Sequence, residues 1–483
     1  MRNTTEGSPY WSMKALQPGY LVANAWCLSL GPLAVLALFT LYRFTGLNIF
    51  LHGYRAALVS VSVLAFLSLY RYAEQRHLAR AVLYISMFFS LYVLAPRIVD
   101  AFAHAPREWD FICFYVDGLV AASGLNLYRP ESYAEVVGNL GLAVSDEFQR
   151  EIVEVGFKYP PATALLFLPL SYFDLETANT VWLSFIALAV CVATLLLSRL
   201  LPVRSPGDLP LLSILDSIAL SAVMVLSIPS TRTAISMGQT TPLLCCLMIL
   251  TILSRGRMTG GFAASLSVLV KPLAVIPSLA LVIGRHWSAV AVGVSTGFCL
   301  IAASVLVLGI DDWTSYFLQE YATAAPAWIY YEHINQSLLA ALCRSFGFTE
   351  VPWTHWPIAS TYFLVSLAFV VPSLWLSRAI VREDFRTAYC LLLLMALIVY
   401  PGTQITYGMA LSIPLAVEFW NQYKAREHEL VAIAFVVVTV MLSGYSLFAA
   451  NVFVWCVFVR RSLIVTAIAD SAVKRSAANA AAY

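Results

Sequence analysis

Charge is scarce in this chain. Lysine and arginine number 29 and aspartate and glutamate 27 among 483 residues, 12% together, against about 25% in an ordinary soluble domain. A soluble protein of this size needs far more charge to cover its surface, so a soluble globule is excluded. Disorder is excluded as well, because disordered chains are poor in aromatics and rich in charge, whereas aromatics reach 13% here. A net charge of +2 leaves no basic excess for a nucleic-acid partner. Metal-ligand patterns are missing too. The nine cysteines lie mostly in apolar runs, with no CxxC and no His/Cys spacing. Neither a disulfide framework, a zinc site nor any other metal or cofactor is therefore expected. What is abundant is apolar surface, with 60% hydrophobic residues and a mean hydropathy of +0.79. The composition predicts an all-α, polytopic integral membrane protein.

A helix needs about 20 apolar residues to cross the hydrocarbon core. Candidate spans run near 20–41, 53–70, 81–99, 177–199, 210–229, 240–254, 288–309, 359–377, 387–400, 405–420 and 430–459, the last bent near Gly444. The apolar stretch 259–284 is broken by Lys271-Pro272, so it reads as one kinked span or two half-helices meeting there. The stretch 161–173 is too short to span and reads as re-entrant or as a short helix. The expectation is about 11–14 transmembrane helices in one domain covering residues 1–483. Residues 1–19 are polar, carry Arg2 and Lys14 and offer no clean cleavage site, so the first span is expected to be retained.

Lysine and arginine in short loops set orientation. They gather at Arg71, Arg76 and Arg80, at Arg199 and Arg204, at Arg255 and Arg257, and at Arg285. Further on they gather at Arg378, Arg382 and Arg386, at Lys424 and Arg426, and at Arg460, Arg461, Lys474 and Arg475. All of these face the cytoplasm if 161–173 does not cross and 259–284 returns to its starting side. The N-terminus is then cytoplasmic, and only Arg43 and Arg55 fall on the wrong side. This arrangement puts two long loops outside, 100–176 and 310–358, together with TRTAISMGQT, the Lys271-Pro272 break and YPGTQITYG at 400–408. The chemistry-bearing residues thus collect on one face.

In the first outer loop, Asp110 and Asp117 are seven residues apart, which on a helix gives them a common face about 10 Å apart. A carboxylate at a membrane boundary can act as general base toward a hydroxyl; Asp110 can equally cap a helix. Lys158 in FKYPP can hold a phosphate or snorkel. Gln239 in MGQTTP opens a span whose N-terminus favours an anion, with Arg232 just before it. Lys271 is the one charge in 259–284, and an intramembrane charge is a functional candidate. In the second loop His333 precedes Asn335, Gln336 and Ser337. Asn335 and Ser337 are suited to capping the apolar helix that follows.

Taken in order, these segments resemble glycosyltransferase family 87, a GT-C-type family of integral-membrane enzymes. The resemblance rests on DFICFYVDGLVAASGLNLY, on YPPATALLFLPL followed by VWLSF, on Gly238-Gln239, on VLVKPLAVIP followed by RHW, and on NQSL at 335–338. It covers about residues 100–345, more weakly to about 420. Where the family carries a Pro-Ser-Trp and a histidine in its late outer loop, this chain reads YPGTQITYG.

The resemblance implies a GT-C-like fold and an inverting hexosyl transfer on the extracytoplasmic face, in a bacterial inner membrane. The donor would be a polyprenyl-phosphate sugar, with mannose the sugar of known relatives, and the acceptor a glycolipid or glycan. It makes Asp110 the leading catalytic residue and His333 a second acid/base candidate. Lys271 and Arg232 become candidates for the lipid phosphate, and Tyr115, Asp117, Lys158, Gln239, Asn335 and Gln336 complete the substrate-binding set. The competing expectation is a transporter or flippase for a lipid-linked sugar, which the Lys271-Pro272 break also fits.

Overall fold

A computed structural model describes residues 76–103, 110–140, 146–201, 213–320, 327–424 and 446–481, with a few isolated residues between 64 and 443. The expected span at 20–41, all of that at 53–70 except Leu64 and Ala65, the cytoplasmic N-terminus and the bend at Gly444 lie outside the described residues. Among the described residues the secondary structure is helical, and the one β-bridge pairs Asn335 with Gln404. The all-α polytopic expectation holds.

Among the described residues five helices are long and apolar enough to cross a membrane: α1 (Arg76–Ala103, of which His77–Pro96 qualifies), Leu175–Ser198, Trp287–Leu308, Trp356–Ile380, and the Leu447–Thr466 part of a C-terminal helix. A sixth follows if Ile214–Leu226 and Pro229–Ser236, bent by 76°, form one span. Several expected spans are shorter apolar helices, among them Thr241–Leu253 and Phe385–Val399. The latter is buried along nearly its whole length. Hydropathy alone reads such an interior helix as a span, because its neighbours supply the apolar surroundings that lipid would otherwise supply.

The elements after α1 that position the site are as follows. The segment 110–172 holds α2 (Asp110–Ala122), α3 (Pro130–Leu140), α4 (Asp146–Val155) and α5 (Pro161–Phe167), the last continued by a 3₁₀ turn, Leu168–Tyr172. Then come α6 (Leu175–Ser198), α7 (Ile214–Leu226), α8 (Pro229–Ser236), α9 (Thr241–Leu253), α10 (Met258–Val270), α11 (Val275–Ile283) and α12 (Trp287–Leu308). The remaining elements are α13 (Ile310–Ser315), α14 (Trp328–Tyr331), α15 (Leu338–Ser345), α16 (Trp356–Ile380), α17 (Phe385–Val399), α18 (Ser412–Lys424) and α19 (Leu447–Ala481).

The break at Lys271-Pro272 is real. Lys271 is extended, with φ −150° and ψ 121°, because proline lacks the N–H that would continue α10 and restricts the residue before it. The two halves return to one end of the molecule: Ser288 Oγ donates to the Gly256 carbonyl at 3.0 Å, so the chain entering α10 meets the chain leaving α11. Lys271 therefore sits at the tip of a helical hairpin. The YPP helix abuts that tip, with Thr163 Oγ1 donating to the Leu269 carbonyl at 2.7 Å. Gly118 lets α5 close on α2, since a Cβ there would lie 2.5 Å from the Phe167 carbonyl oxygen.

Helices α6 and α9 run side by side in the same direction, from Trp182 Nε1 on the Gly238 carbonyl (2.5 Å) to Cys246 Sγ on the Ala189 carbonyl (3.0 Å). Their far ends meet the start of α17, where Arg386 Nη1 donates to the Leu200 carbonyl at 3.0 Å. The molecule thus has one end built from Gln239, Lys271 and residues 400–408, and an opposite end built from Arg255, Arg285 and Arg386.

Candidate active site

Three distant segments meet at the first end. Asp110 is the first residue of α2, and the main-chain N–H of Phe111 is fixed by the Met237 carbonyl at 3.2 Å. The next carbonyl, Gly238, accepts the Trp182 indole. Gly238 itself has φ +66°, and a Cβ there would crowd Phe111 and Trp182. Glycine is needed at this position for both reasons. The turn delivers Gln239, buried at 2% exposure, between two charges. Its Nε2 donates to Asp110 Oδ2, and its Oε1 accepts from Lys271 Nζ at 3.0 Å.

Lys271 is fully buried. Its ammonium lies 3.8 Å from the centroid of the Tyr407 ring and 5.9 Å from that of Tyr159. Aromatic faces stabilise a desolvated cation by about 2 kcal/mol or more. Asp110 is only half-buried. Burial pushes its carboxyl above the usual range, while the Gln239 hydrogen bond and the Lys271 charge pull it back. Asp110 Oδ1 has no hydrogen-bond partner among the described residues. The arrangement is a carboxylate fixed by one oxygen, its burial-raised pKa opposed by the Gln239 hydrogen bond and by a buried cation, with the other oxygen open.

The remaining candidates are placed differently. Asp117 is buried and accepts from the Tyr133 hydroxyl at 2.8 Å. Burial raises it to about 8, against the lowering effects of Tyr133 and of the Lys158 charge. The Tyr115 hydroxyl donates to the Phe173 carbonyl at 2.9 Å and closes the first loop. Lys158 and Arg232 are half-buried. Arg232 lies on α8, which packs against residues 405–411. His333 is exposed, and its carbonyl accepts from Gln336 Nε2 at 2.6 Å.

Asn335 Nδ2 donates to the Ile329 and Pro401 carbonyls at 2.9 and 2.8 Å. Ser337 caps α15 and also donates to the Pro401 carbonyl, at 3.0 Å. Gln336 spans from its main-chain N–H on the Thr403 carbonyl (2.7 Å) to its Oε1, 3.4 Å from the Phe448 N–H. This trio anchors residues 400–405. No cluster of three or more His, Cys, Asp or Glu fit to hold a metal occurs among the described residues.

Sequence reading missed the aromatic floor, Tyr159 and Tyr407. It also missed a pin between the segment after α2 and α13, in which Asp312 Oδ1 accepts from the Leu127 N–H at 2.8 Å and Asn126 Nδ2 donates to Ser315 Oγ at 3.1 Å. Asn126 Oδ1 then takes the Tyr128 N–H at 2.9 Å, and the Tyr128 hydroxyl holds the Tyr159 carbonyl at 2.6 Å. The pin therefore reaches the residue beneath Lys271. Asn126 sits in the GLNLY turn and Asp312 in DDW, but nothing in either segment names the other.

No curated protein and no solved structure matches this chain. The sequence model described as Glycosyltransferase family 87 matches residues 157–401, just over half of it. That span takes in Tyr159, Gln239, Lys271 and the NQS anchor. A helical membrane protein carrying a carboxylate–amide–ammonium chain at one end fits that match, and the chain belongs to glycosyltransferase family 87 as an integral-membrane glycosyltransferase.

Proposed function

We propose that this enzyme moves a hexosyl group, with mannose the first sugar to test, from a polyprenyl phosphate to a glycolipid or glycan hydroxyl. The transfer takes place on the extracytoplasmic face of a bacterial inner membrane. The observation that carries the reading is the Asp110–Gln239–Lys271 chain, assembled from residues 129 and 32 positions apart in sequence. Its position at the end of the molecule opposite Arg255, Arg285 and Arg386 supports an outer-face site, because short basic loops stay in the cytoplasm.

The acceptor hydroxyl gives its proton to Asp110 Oδ1 as its oxygen bonds to the anomeric carbon. The bond from that carbon to the phosphate oxygen breaks, its electron pair leaves with the polyprenyl phosphate, and configuration inverts. Gln239 aims the carboxylate, and its hydrogen bond together with the Lys271 charge opposes the rise in pKa that burial causes. Lys271 is too deeply buried to meet the donor phosphate, so that part goes to Arg232, with Lys158 near the acidic side of the first loop. Such a leaving group is already charged and needs a cation more than a proton. His333, exposed on its turn, is not needed as the base.

The test is transfer from radiolabelled polyprenyl-phosphate sugars to endogenous lipid in membranes carrying the wild type or Asp110→Asn at equal expression. Loss of a general base lowers the rate by about 10²–10⁴-fold. Equal transfer by both would remove Asp110 as the base. Absence of transfer from every donor offered to the wild type would overturn the reading and make a lipid-linked-sugar flippase the next hypothesis.

A further inference from the structure

At the end of the molecule opposite Lys271, the ends of α6 and α9, the start of α17 and one face of α18 line an open cavity of about 480 Å³. It lies one length of α9 from Gln239, about 20 Å at 1.5 Å per residue. Its wall carries Arg255, Arg386, Glu383 and Asp384, alongside apolar surface from Ile252 and Trp420. Two positive and two negative side chains share this small space, yet among the described residues they form no ion pair with one another.

Each arginine is tethered to main chain instead. Arg255 Nη2 donates to the Arg382 carbonyl at 2.8 Å and Arg386 Nη1 to the Leu200 carbonyl at 3.0 Å. A guanidinium has five donors, so each keeps others to offer. The Asp384 oxygens hold the Thr387 N–H and hydroxyl at the start of α17. The Glu383 carboxylate has no partner among the described residues.

We infer that this cavity binds the headgroup of a phospholipid carrying both a phosphate and a primary ammonium. The tethers hold the charges apart, so the cavity presents a separated plus and minus that a zwitterion completes. A purely anionic headgroup would face two carboxylates, and a purely cationic one two guanidiniums. Arginine matches phosphate geometry through parallel N–H donors, and a primary ammonium has the N–H groups that Glu383 can accept. The apolar wall suits the glycerol and upper acyl carbons, and tryptophan favours this boundary. The arginine-bearing turns around the cavity fit the lipid–water interface on the cytoplasmic side, the level at which phospholipid headgroups lie.

The experiment uses the full-length protein in detergent and follows its thermal stability on titration with defined lipids. Phosphatidylethanolamine should stabilise it more than phosphatidylcholine, whose nitrogen has no N–H, and more than phosphatidylglycerol, which has no nitrogen. Arg255→Gln and Glu383→Gln, both at exposed positions outside the Asp110 site, should fold normally. Each should weaken the apparent affinity for phosphatidylethanolamine about tenfold or more, the loss expected for one charge-assisted hydrogen bond. Equal stabilisation by phosphatidylglycerol, or an unchanged response in both variants, overturns the assignment. An equal effect of free phosphoethanolamine would overturn the lipid as the source. The outcome is independent of which sugar the enzyme transfers.

Discussion

Two short polar runs open apolar helices in this protein, MGQTTP before α9 and HINQSL before α15, and each contains a glutamine with 2–6% of its surface exposed. They look alike as sequence and behave differently in the fold. Gln239 spends both ends of its amide on charged side chains, Asp110 and Lys271. Asn335, Gln336 and Ser337 spend theirs almost wholly on main-chain groups of residues 329–337, 401 and 448. A buried amide that satisfies carbonyls fixes the fold. One that joins an acid to a base sets their charge and direction, which is what a reaction can use.

Breaking the first run should cost activity above all. Gln239→Leu removes the donor that aims Asp110 and leaves the Lys271 ammonium without its acceptor. Misdirection of a base by about 1 Å costs on the order of a hundredfold, so kcat should fall that far in membranes with equal amounts of enzyme. A variant that kept wild-type kcat would show that the amide is merely structural. Lys271→Met acts on the same chain by charge. Asp110 works ionised, and the Lys271 charge lowers its pKa, so the acid limb of the rate profile should move to higher pH in the variant. An unmoved limb would separate Lys271 from Asp110.

The same contrast explains what the sequence disclosed. Lys271 was legible because a single charge in an apolar run demands a reason, and Lys271-Pro272 announces its own break. Gln239 and Asp110 were legible as polar residues at helix starts. Tyr407 and Tyr159 were not, since aromatics are common throughout this chain and only the fold puts two rings beside one ammonium. Asn335 and Gln336 matched a binding motif, yet the carbonyl of Pro401 that Asn335 and Ser337 satisfy lies 64 or more residues away and leaves no local trace. Short interior helices such as α17 carry the sequence pattern of a span because burial in protein and burial in lipid select the same residues.

Asn335→Ala tests the second run directly. It strands the Ile329 carbonyl and weakens the hold on Pro401, a loss of about 1–3 kcal/mol for a buried unsatisfied group. Apparent Tm in detergent should drop, while kcat per folded molecule stays near wild type. A large fall in kcat with an unchanged Tm would move Asn335 from anchor to substrate contact.

The smallest kinetic effect is expected at Asp117, which shares α2 with Asp110 and so sharpens the comparison within one helix. Its carboxyl is raised to about 8 by burial, so at pH 7 it is already largely protonated and Asp117→Asn imitates it. Transfer rates at neutral pH should be close to wild type. The difference lies in stability. Between about pH 4 and pH 8 the unfolded chain ionises this group while the folded chain retains the proton. The folded state of the wild type therefore loses about 1.4 kcal/mol per pH unit through this residue across that window. Below the window the contribution is fully present, and above it the loss is complete. Asp117→Asn has no proton to lose, so its apparent Tm should fall less steeply from pH 5 to pH 8. Parallel slopes for the two proteins would mean that Asp117 is ionised in the folded state, and that α2 holds a second working carboxylate beside Asp110.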